Sequence, residues 1–267
     1  MSKNKRSKKN IVPLVVFLPL LAVILSSYAV FKGILNYTET SSYFNIREIK
    51  TEGMTDARYC EVMKEALLGT NIFRIDTHKL SQRIRMKFPT FYSVTVTRVL
   101  PHRLTIVGKE RLPVAVVQEG GTFYLFDTEG VIVSSFSATQ TVDFPVISGF
   151  SDNISPLKVG KTYNSRVLKE VLSLAKALRL QRFNIDAAYP AGNKMKITRI
   201  DASKPSELSF YLDDSLQVKI GRNDFTGKVS FLPAIIKSLS DEISNVKYID
   251  LRPKEPVVAT KKDISKK

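Results

Sequence analysis

An uncharged apolar run from Ile11 to Phe31 constrains this chain more than any other feature of its sequence. Its 21 residues would reach about 32 Å as a helix, and the hydrocarbon core of a bilayer is about 30 Å thick. Pro13 and Pro19 lie inside the run, and helices that cross membranes tolerate proline. The run therefore predicts a transmembrane helix over residues 11–31 that contacts membrane lipid.

The ten residues before this run carry five basic side chains and no acidic one, which are Lys3, Lys5, Arg6, Lys8 and Lys9. Basic residues that flank a first membrane span tend to stay in the cytoplasm. Residues 1–10 are therefore predicted to be a cytoplasmic tail. We expect a single-pass protein of the cytoplasmic membrane, type II, whose remaining 236 residues lie outside the cytoplasm.

Two other interpretations of the apolar run stay open at this point. A cleaved signal peptide also has a basic start and an apolar middle, and Ser27-Tyr28-Ala29 fits a small-x-small cleavage site. The run is longer than the usual apolar region of about 7–15 residues, which favours an anchor. A buried core helix is the third interpretation, but the run has no polar face.

The net charge of +16 comes from 41 basic and 25 acidic residues, and the two chain ends supply half of the excess. The part between the ends shows no basic stripe interleaved with aromatic residues, so we expect no nucleic-acid partner. Cys60 is the one cysteine, which excludes an intramolecular disulfide and a cysteine-rich metal site. Residues 261–267 are lysine-rich and are predicted to be a disordered tail.

The region between residues 44 and 110 follows a predicted polar linker at 32–43 and has the order β-α-α-β-β. A short strand ends at Gly53, and two helical patterns follow that end at Gly69 and at Pro89. Apolar and polar residues then alternate on either side of the turn at 100–103, as in a hairpin. The pattern predicts a three-stranded sheet with two helices on one face.

Residues 111–260 read mainly as short strands, with a helix after Asn164 or Ser165 and a hairpin around Asp213-Asp214. A further helix is predicted over 225–239 with a kink at Pro233. A last strand is predicted over 247–252, continuing unevenly towards residue 260. The fold class is therefore α+β: an N-terminal transmembrane helix, a β-α-α-β-β domain, and a mixed, mainly antiparallel β domain with flanking helices.

Residues that could carry catalysis are scarce in this sequence. His78 and His102 are the two histidines, and each falls in a helix start or a turn where an exposed polar role is the simplest. Adjacent acids such as Asp213 and Asp214 are common turn formers. No nucleophile elbow, metal-binding helix or phosphate loop is present. We therefore expect no catalytic residue, cofactor, metal or small-molecule substrate, and interpret the external part as a binding protein.

Four segments together resemble one known family. They are Pro101-His102-Arg103-Leu104-Thr105-Ile106-Val107-Gly108-Lys109-Glu110-Arg111-Leu112-Pro113-Val114-Ala115, then Tyr124-Leu125-Phe126-Asp127-Thr128-Glu129-Gly130-Val131, Phe144-Pro145-Val146-Ile147-Ser148-Gly149 and Tyr248-Ile249-Asp250-Leu251-Arg252. Their content and order are similar to those of the FtsQ/DivIB bacterial cell-division proteins. In that family a POTRA domain, here residues 44–110, is followed by a β domain, here residues 111–260.

The resemblance implies a function as well as a fold. Proteins of this family are non-catalytic scaffolds of the divisome, which recruit and link other membrane proteins at the division septum. The implied partners are divisome membrane proteins, chiefly a complex of the FtsB/DivIC and FtsL type. The apolar run then becomes a permanent tether, and its helix a candidate contact for partner helices.

The resemblance also implies a binding site at the end of the β domain, where the family's last strand is an exposed edge that accepts a strand from FtsB/DivIC. The residues predicted to form this edge are Arg252, Pro253, Lys254, Glu255, Pro256, Val257 and Val258. Arg252 matches the family motif, whereas Pro253 and Pro256 depart from it. Proline is tolerated on edge strands, but it also protects an edge against unwanted pairing, and the sequence leaves both interpretations open.

Two rival functions remain at this point. A membrane-anchored or secreted cell-wall enzyme would require an acidic or nucleophilic cleft, for which Asp213 and Asp214 are the nearest candidates. A POTRA-bearing outer-membrane assembly factor would require a cleaved signal and a long membrane barrel downstream, and we expect the chain to be too short for both.

Overall fold

The computed structural model describes residues 12–54, 57–137, 139, 143–149, 156–188, 195–204, 206–239 and 242–261. The predicted tail at 1–10, the first residue of the predicted span and nearly all of the predicted C-terminal tail lie outside these residues. Two compact units are present. Unit 1 runs from the N-terminal helix to Ile84 and includes Ser93–Lys109; unit 2 comprises Arg85–Tyr92 and the chain from Glu110 onward.

The apolar run forms the N-terminal part of helix α1, which spans Val12–Thr40. Its segment Phe17–Thr40 is long and apolar enough to cross a membrane, and none of it is buried within the protein. The helix continues beyond the apolar run, through most of the segment predicted as a polar linker. The hydroxyls of Thr38 and Thr40 donate to the carbonyls of Leu35 and Asn36, at 2.8 and 2.6 Å, so the helix itself satisfies these polar side chains.

The predicted β-α-α-β-β order is present and lies mostly in unit 1, although Arg85–Tyr92 and Glu110 are grouped with unit 2. Its elements are β1 (Glu48–Glu52), α2 (Ala57–Leu67), α3 (Thr77–Lys87), β2 (Phe91–Val99) and β3 (Arg103–Glu110). The last strand lies in the middle of the sheet, in the order β1-β3-β2, and β1 runs parallel to it. Buried aliphatic side chains such as Ile49, Ile84, Leu104 and Ile106 form its core. The predicted α+β fold is confirmed here.

Within its described residues, unit 2 is built on one nine-stranded sheet in the order β12-β11-β10-β9-β8-β7-β4-β5-β6. Its elements are β4 (Pro113–Glu119), β5 (Thr122–Asp127), β6 (Ile132–Ser137), β7 (Val146–Ser148), α4 (Arg166–Ala188), β8 (Ile197–Asp201), β9 (Ser209–Leu212), β10 (Leu216–Lys219), α5 (Phe225–Ser230), α6 (Leu232–Ser238), β11 (Val246–Asp250) and β12 (Val257–Thr260). Five neighbouring pairs are antiparallel and three are parallel, so the sheet is mixed and mainly antiparallel, as predicted.

The core of unit 2 lies between this sheet and helix α4. The hydroxyl of Ser165 accepts a hydrogen bond from the N–H of Leu168 at 3.0 Å, which caps the start of the helix as the sequence indicates. Leu168, Val171, Leu172 and other apolar residues of α4 are buried against Phe126, Phe210 and their neighbours. Helices α5 and α6 join the same core through Val229 and Ile236.

Two details of unit 2 differ from the sequence prediction. The helix expected over 225–239 is two helices that break at Phe231, because Pro233 lacks the N–H that would bond to the preceding turn. The strand expected to continue from 247 towards 260 is a hairpin instead. Strand β11 ends at Asp250, and β12 returns antiparallel to it after a turn that contains Pro253 and Pro256.

Candidate partner-binding edge

Among the residues that the structure describes, the C-terminal strand β12 forms one edge of the nine-stranded sheet, because it pairs with β11 and with no other strand. Of the predicted edge residues, Val257 and Val258 lie on this strand. The other five, Arg252 to Pro256, form the turn between β11 and β12. Val257 is 51% exposed, whereas Val258 packs partly against the core.

The backbone of Val258 points away from the sheet, and this follows from the hydrogen bonds of β11. Leu251 donates its N–H to the carbonyl of Lys219 on β10 at 2.8 Å. Backbone groups of successive strand residues point to opposite sides, so those of Asp250 face β12 and bond to Val257 opposite. Val258 lies opposite Ile249, whose backbone faces β10. These two residues therefore form a non-hydrogen-bonded pair of the antiparallel ladder. The N–H and C=O of Val258 are therefore directed outward, where an incoming strand can pair with them.

The turn before β12 is organised by Arg252 and Asp250. The guanidinium group donates from Nε to Oδ1 at 2.9 Å and from Nη2 to Oδ2 at 2.6 Å, and the Arg252 N–H donates to Oδ1 at 3.0 Å. The aliphatic part of the Arg252 side chain packs close to Gly221. A Cβ atom at position 221 would lie 3.3 Å from Cγ of Arg252. Planar two-point pairing of this kind fixes geometry as well as charge, so Arg252 supports the edge from the turn rather than lying on it.

The hydrogen bonds from the Arg252 side chain are the main reason why the pKa of Asp250 lies below its ordinary value. Burial of the carboxyl opposes this shift. The Arg252 N–H and the positive charges of Arg252 and Lys219 add to it. Lys219 also lies over the ring of Tyr248, with Nζ 3.9 Å from the centroid. Asp250 is thus a structural anion at the base of the hairpin.

We expect Asp250→Asn to destabilise the protein at neutral pH and to have little effect in acid. A lowered folded pKa stabilises the native state above the unfolded pKa of about 3.9, and that stability is lost as the pH falls through the folded value. Loss of a charge-assisted pair costs about 1–2 kcal/mol. Thermal unfolding of the full chain in detergent at pH 7 and near pH 3 measures the effect. The exposed Asp214→Asn is the control, and a pH-independent cost at Asp250 would contradict the assignment.

Arg111 and Asp127 join two of the motif segments, a contact that the sequence did not reveal. Arg111 Nη1 donates to Asp127 Oδ2 at 2.5 Å and to Glu129 Oε2 at 3.1 Å. Asp127 Oδ1 accepts from the N–H groups of Glu129 and Val131, at 2.9 and 2.8 Å. The side chains of Arg111 and Asp127 are 13% and 3% exposed. The sequence offered one indication of this ion pair: Arg111 and Asp127 both lie in segments that resemble the family.

The residues considered for catalysis lie in ordinary structural positions. Asp213 and Asp214 have φ angles of 48° and 58° at the tip of the β9–β10 hairpin, and Asp213 Oδ1 accepts from the N–H of Lys196 at 2.8 Å. They are turn residues, as aspartate often is. Within the part of the chain that the structure describes, no group of three His, Cys, Asp or Glu residues is placed to hold a metal ion.

Together these features define a class of protein: one apolar N-terminal helix, a small β-α-α-β-β domain, and a mixed β domain that ends in an edge strand. Residues 44–111 match the FtsQ-type POTRA domain, and residues 115–252 match the C-terminal domain of the cell division proteins FtsQ/DivIB. The second match ends at residue 252, before β12.

Curated relatives agree with the family match. The chain is 27% identical over 237 residues to the cell division protein FtsQ of Geotalea daltonii, covering 86% of this chain and 80% of the relative. It is 27% identical to FtsQ of Syntrophotalea carbinolica, covering 79% and 71%, and 25% identical to the cell division protein DivIB of Clostridium acetobutylicum, covering 78% and 80%. The chain belongs to the FtsQ/DivIB family of bacterial cell-division proteins.

Proposed function

We propose that this protein is a non-catalytic scaffold of the bacterial divisome, which recruits and links other division membrane proteins at the septum. Family membership supports a role in division, and helix α1 supports attachment to the cytoplasmic membrane. In this arrangement residues 1–10 lie in the cytoplasm and both folded units lie outside it. A fusion-reporter topology assay, combined with localisation in dividing cells, tests the orientation and the septal position.

The observation that carries the proposal is the outward-facing backbone of Val258 on the edge strand β12. A partner of the FtsB/DivIC type, held with an FtsL-type protein, would add a strand to this edge. Main-chain hydrogen bonds would supply affinity, and the exposed side chain of Val257 would supply a specific contact. Pro253 and Pro256 lie in the turn, so neither removes a donor from β12.

Val258→Pro is expected to abolish co-purification of the full chain with a FtsB/FtsL-type pair from detergent. The substitution removes the outward N–H, whereas the ladder bonds of β12 to β11 belong to its neighbours. Val258→Ala is the matched control because it shortens the side chain and keeps the N–H. We expect the alanine variant to retain the complex, at a cost in stability of about 1 kcal/mol.

The comparison between the two variants separates pairing from packing. Circular dichroism of the proline variant must show an intact fold, since proline also restricts φ. If a folded Val258→Pro protein retains the complex, the edge is not the binding site. If both variants lose it equally, the side chain rather than the backbone carries binding, which also contradicts strand addition.

An anchored or secreted cell-wall enzyme is the alternative function. The positions of Asp213 and Asp214 at a hairpin tip favour a structural role over catalysis, so we propose that the protein has no enzymatic activity, cofactor or small-molecule substrate. Peptidoglycan-degrading activity of the purified protein that disappears in Asp213→Asn or Asp214→Asn would overturn this.

A further inference from the structure

Helix α1 leaves the β-α-α-β-β domain at one end of its three-stranded sheet. The chain passes from α1 through a 3-10 turn at Ser42–Phe44 directly into β1. Strands β1 and β3 are parallel, with Glu48 opposite Arg103, so both begin at this end. The turn between β2 and β3 lies there too, since the backbone carbonyl of His102 in this turn accepts a hydrogen bond from the N–H of Arg47 at 2.9 Å.

A buried asparagine ties α1 to this end of the sheet. Asn71 donates from Nδ2 to the carbonyls of Thr38 and Ser41, at 2.9 and 3.1 Å. Its Oδ1 accepts from the N–H of Phe73 at 2.9 Å. The last carbonyls of a helix need such partners, and here the partner comes from the folded domain. The helix end is therefore held by specific bonds to the domain.

An aromatic cluster reinforces the same junction. The ring of Phe44 packs edge-to-face with the rings of Tyr37, Tyr43 and Phe73, at centroid distances of 6.4, 5.1 and 5.1 Å. Edge-to-face pairs of this kind add stability beyond simple burial. Because α1 is fixed to the domain at this point, a bilayer that contains α1 would lie next to this end of the sheet.

The same end exposes apolar side chains that the core does not use. Leu100, at the tip of the β2–β3 hairpin, is 57% exposed, and Val99 and Tyr43 are also exposed. An exposed apolar residue at a hairpin tip is suited to the boundary between headgroups and acyl chains, where amphipathic aromatic residues such as tyrosine are also enriched.

Three arginines lie at the same end of the sheet, as their backbone or side-chain hydrogen bonds to His102, Asn71, Ile72 and Ile75 show. Arg47 and Arg74 are exposed and form no ion pair with any residue that the structure describes. Arg98 donates to the carbonyls of Ile72 and Ile75, at 3.0 and 2.6 Å. These uncharged acceptors fix its position and leave its positive charge in place. Three arginine side chains therefore contribute positive charge at the helix exit.

The acidic residues at this end do not cancel that charge. Glu48 is already paired with Arg103 at 2.8 Å, and Asp76 lies 3.6 Å from Lys79. Glu39, on the last turn of α1, is a further acid near the junction. The balance stays positive, which suits an anionic surface.

We propose that the helix-exit surface, formed by Tyr43, Arg47, Arg74, Arg98 and Leu100, docks onto anionic lipid headgroups of the leaflet from which α1 emerges. Arginines near an anionic membrane surface are attracted to it within about a Debye length. Leu100 enters the headgroup boundary, and the first unit lies on the membrane instead of standing free above it. The proposal rests on α1 crossing a bilayer and is independent of the edge strand β12.

The test places an environment-sensitive fluorophore at position 100 of the full chain in nanodiscs. Leu100→Cys is labelled in a Cys60→Ser background, and nitroxide on the lipid headgroups is the quencher. Val107→Cys is the matched control, because Val107 is 40% exposed and lies on β3 about 13 Å beyond its membrane end. We expect severalfold stronger quenching at position 100, and more in phosphatidylglycerol nanodiscs than in phosphatidylcholine nanodiscs.

A charge-reversal pair identifies the lipid headgroup as the partner. Arg47→Glu with Arg74→Glu is expected to reduce docking about 25-fold in the anionic nanodiscs, since each lost positive charge weakens the attraction about fivefold. Arg83→Glu with Arg85→Glu, on α3, changes the net charge equally and should have little effect.

Several outcomes would overturn the proposal. Equal quenching at positions 100 and 107 shows that the tip is not docked, which would leave the surface to a protein partner. Equal effects of the two charge-reversal pairs contradict the assigned arginines. Failure of the chain to enter nanodiscs contradicts the membrane span itself. None of these readouts depends on Val258, so failure here is distinguishable from failure of the edge-strand proposal.

Discussion

Arg111→Ala is expected to lower the free energy of unfolding of unit 2 by about 3–5 kcal/mol, because removing one partner of a buried ion pair leaves the other charge uncompensated. The Asp127 side chain is 3% exposed, and its second oxygen is already committed to backbone N–H groups in the turn. Arg111 also lies over the ring of Tyr92, with a distance of 5.5 Å to the centroid. Denaturant unfolding of the full chain in detergent measures the loss.

Arg111→Lys is the matched control for this prediction. It keeps the charge but lacks the planar fork that contacts Asp127 and Glu129 together, so we expect an intermediate loss of stability. A double-mutant cycle with Asp127→Asn then isolates the coupling between the two side chains. A cost of less than about 1 kcal/mol for Arg111→Ala would mean that the pair is as weak as an exposed one.

Gly149→Ala is expected to destabilise unit 2 by about 2–5 kcal/mol, through backbone strain and overpacking together. Gly149 has φ of +69° directly after β7. A Cβ there would lie 2.6 Å from the N atom and 2.8 Å from the Cα atom of Ser203, which follows β8. Because these are backbone atoms, relief requires the two parallel strands to separate. The shift in the thermal unfolding midpoint measures the cost.

Gly121→Ala separates the two causes. Gly121 has φ of +79° in the turn after β4, and a Cβ there would meet nothing within 4 Å. It therefore shows the conformational cost alone, about 1–2 kcal/mol. If the two substitutions cost the same, the contact between Gly149 and Ser203 does not constrain the sheet.

Local elements of this fold were predictable because their signals are local. The helix capped by Ser165, the hairpin at Asp213-Asp214 and the β-α-α-β-β order of the first unit each depend on residues close in sequence. The four motif segments were also recognisable in the sequence, but the structural role of their residues was not. In the structure, residues of these segments make contacts that hold unit 2 together: Arg111 with Asp127, Gly149 beside Ser203 of another segment, and Asp250 with Arg252.

The C-terminal hairpin was predicted only in part. The sequence located the C-terminal segment, but it described β11 and β12 as one uneven strand. Pairing of Asp250 with Val257 turns that segment into a hairpin and makes β12 an edge. Strand β8 was not predicted. It pairs with β9, which follows it closely, and also with β7, which lies about 50 residues earlier in the chain. Pairing with a distant strand leaves no local signal in the sequence.

By itself the sequence determined the apolar helix, the two-domain order, the fold class and the family, because hydrophobic period, turn chemistry and motif order are properties of short segments. The tertiary structure alone decided that the backbone of Val258 faces outward, that Arg111 pairs with Asp127 and Glu129, and that Asn71 joins the end of α1 to the rest of the first unit. Those contacts link residues that are far apart along the chain, and only packing brings them within hydrogen-bond distance.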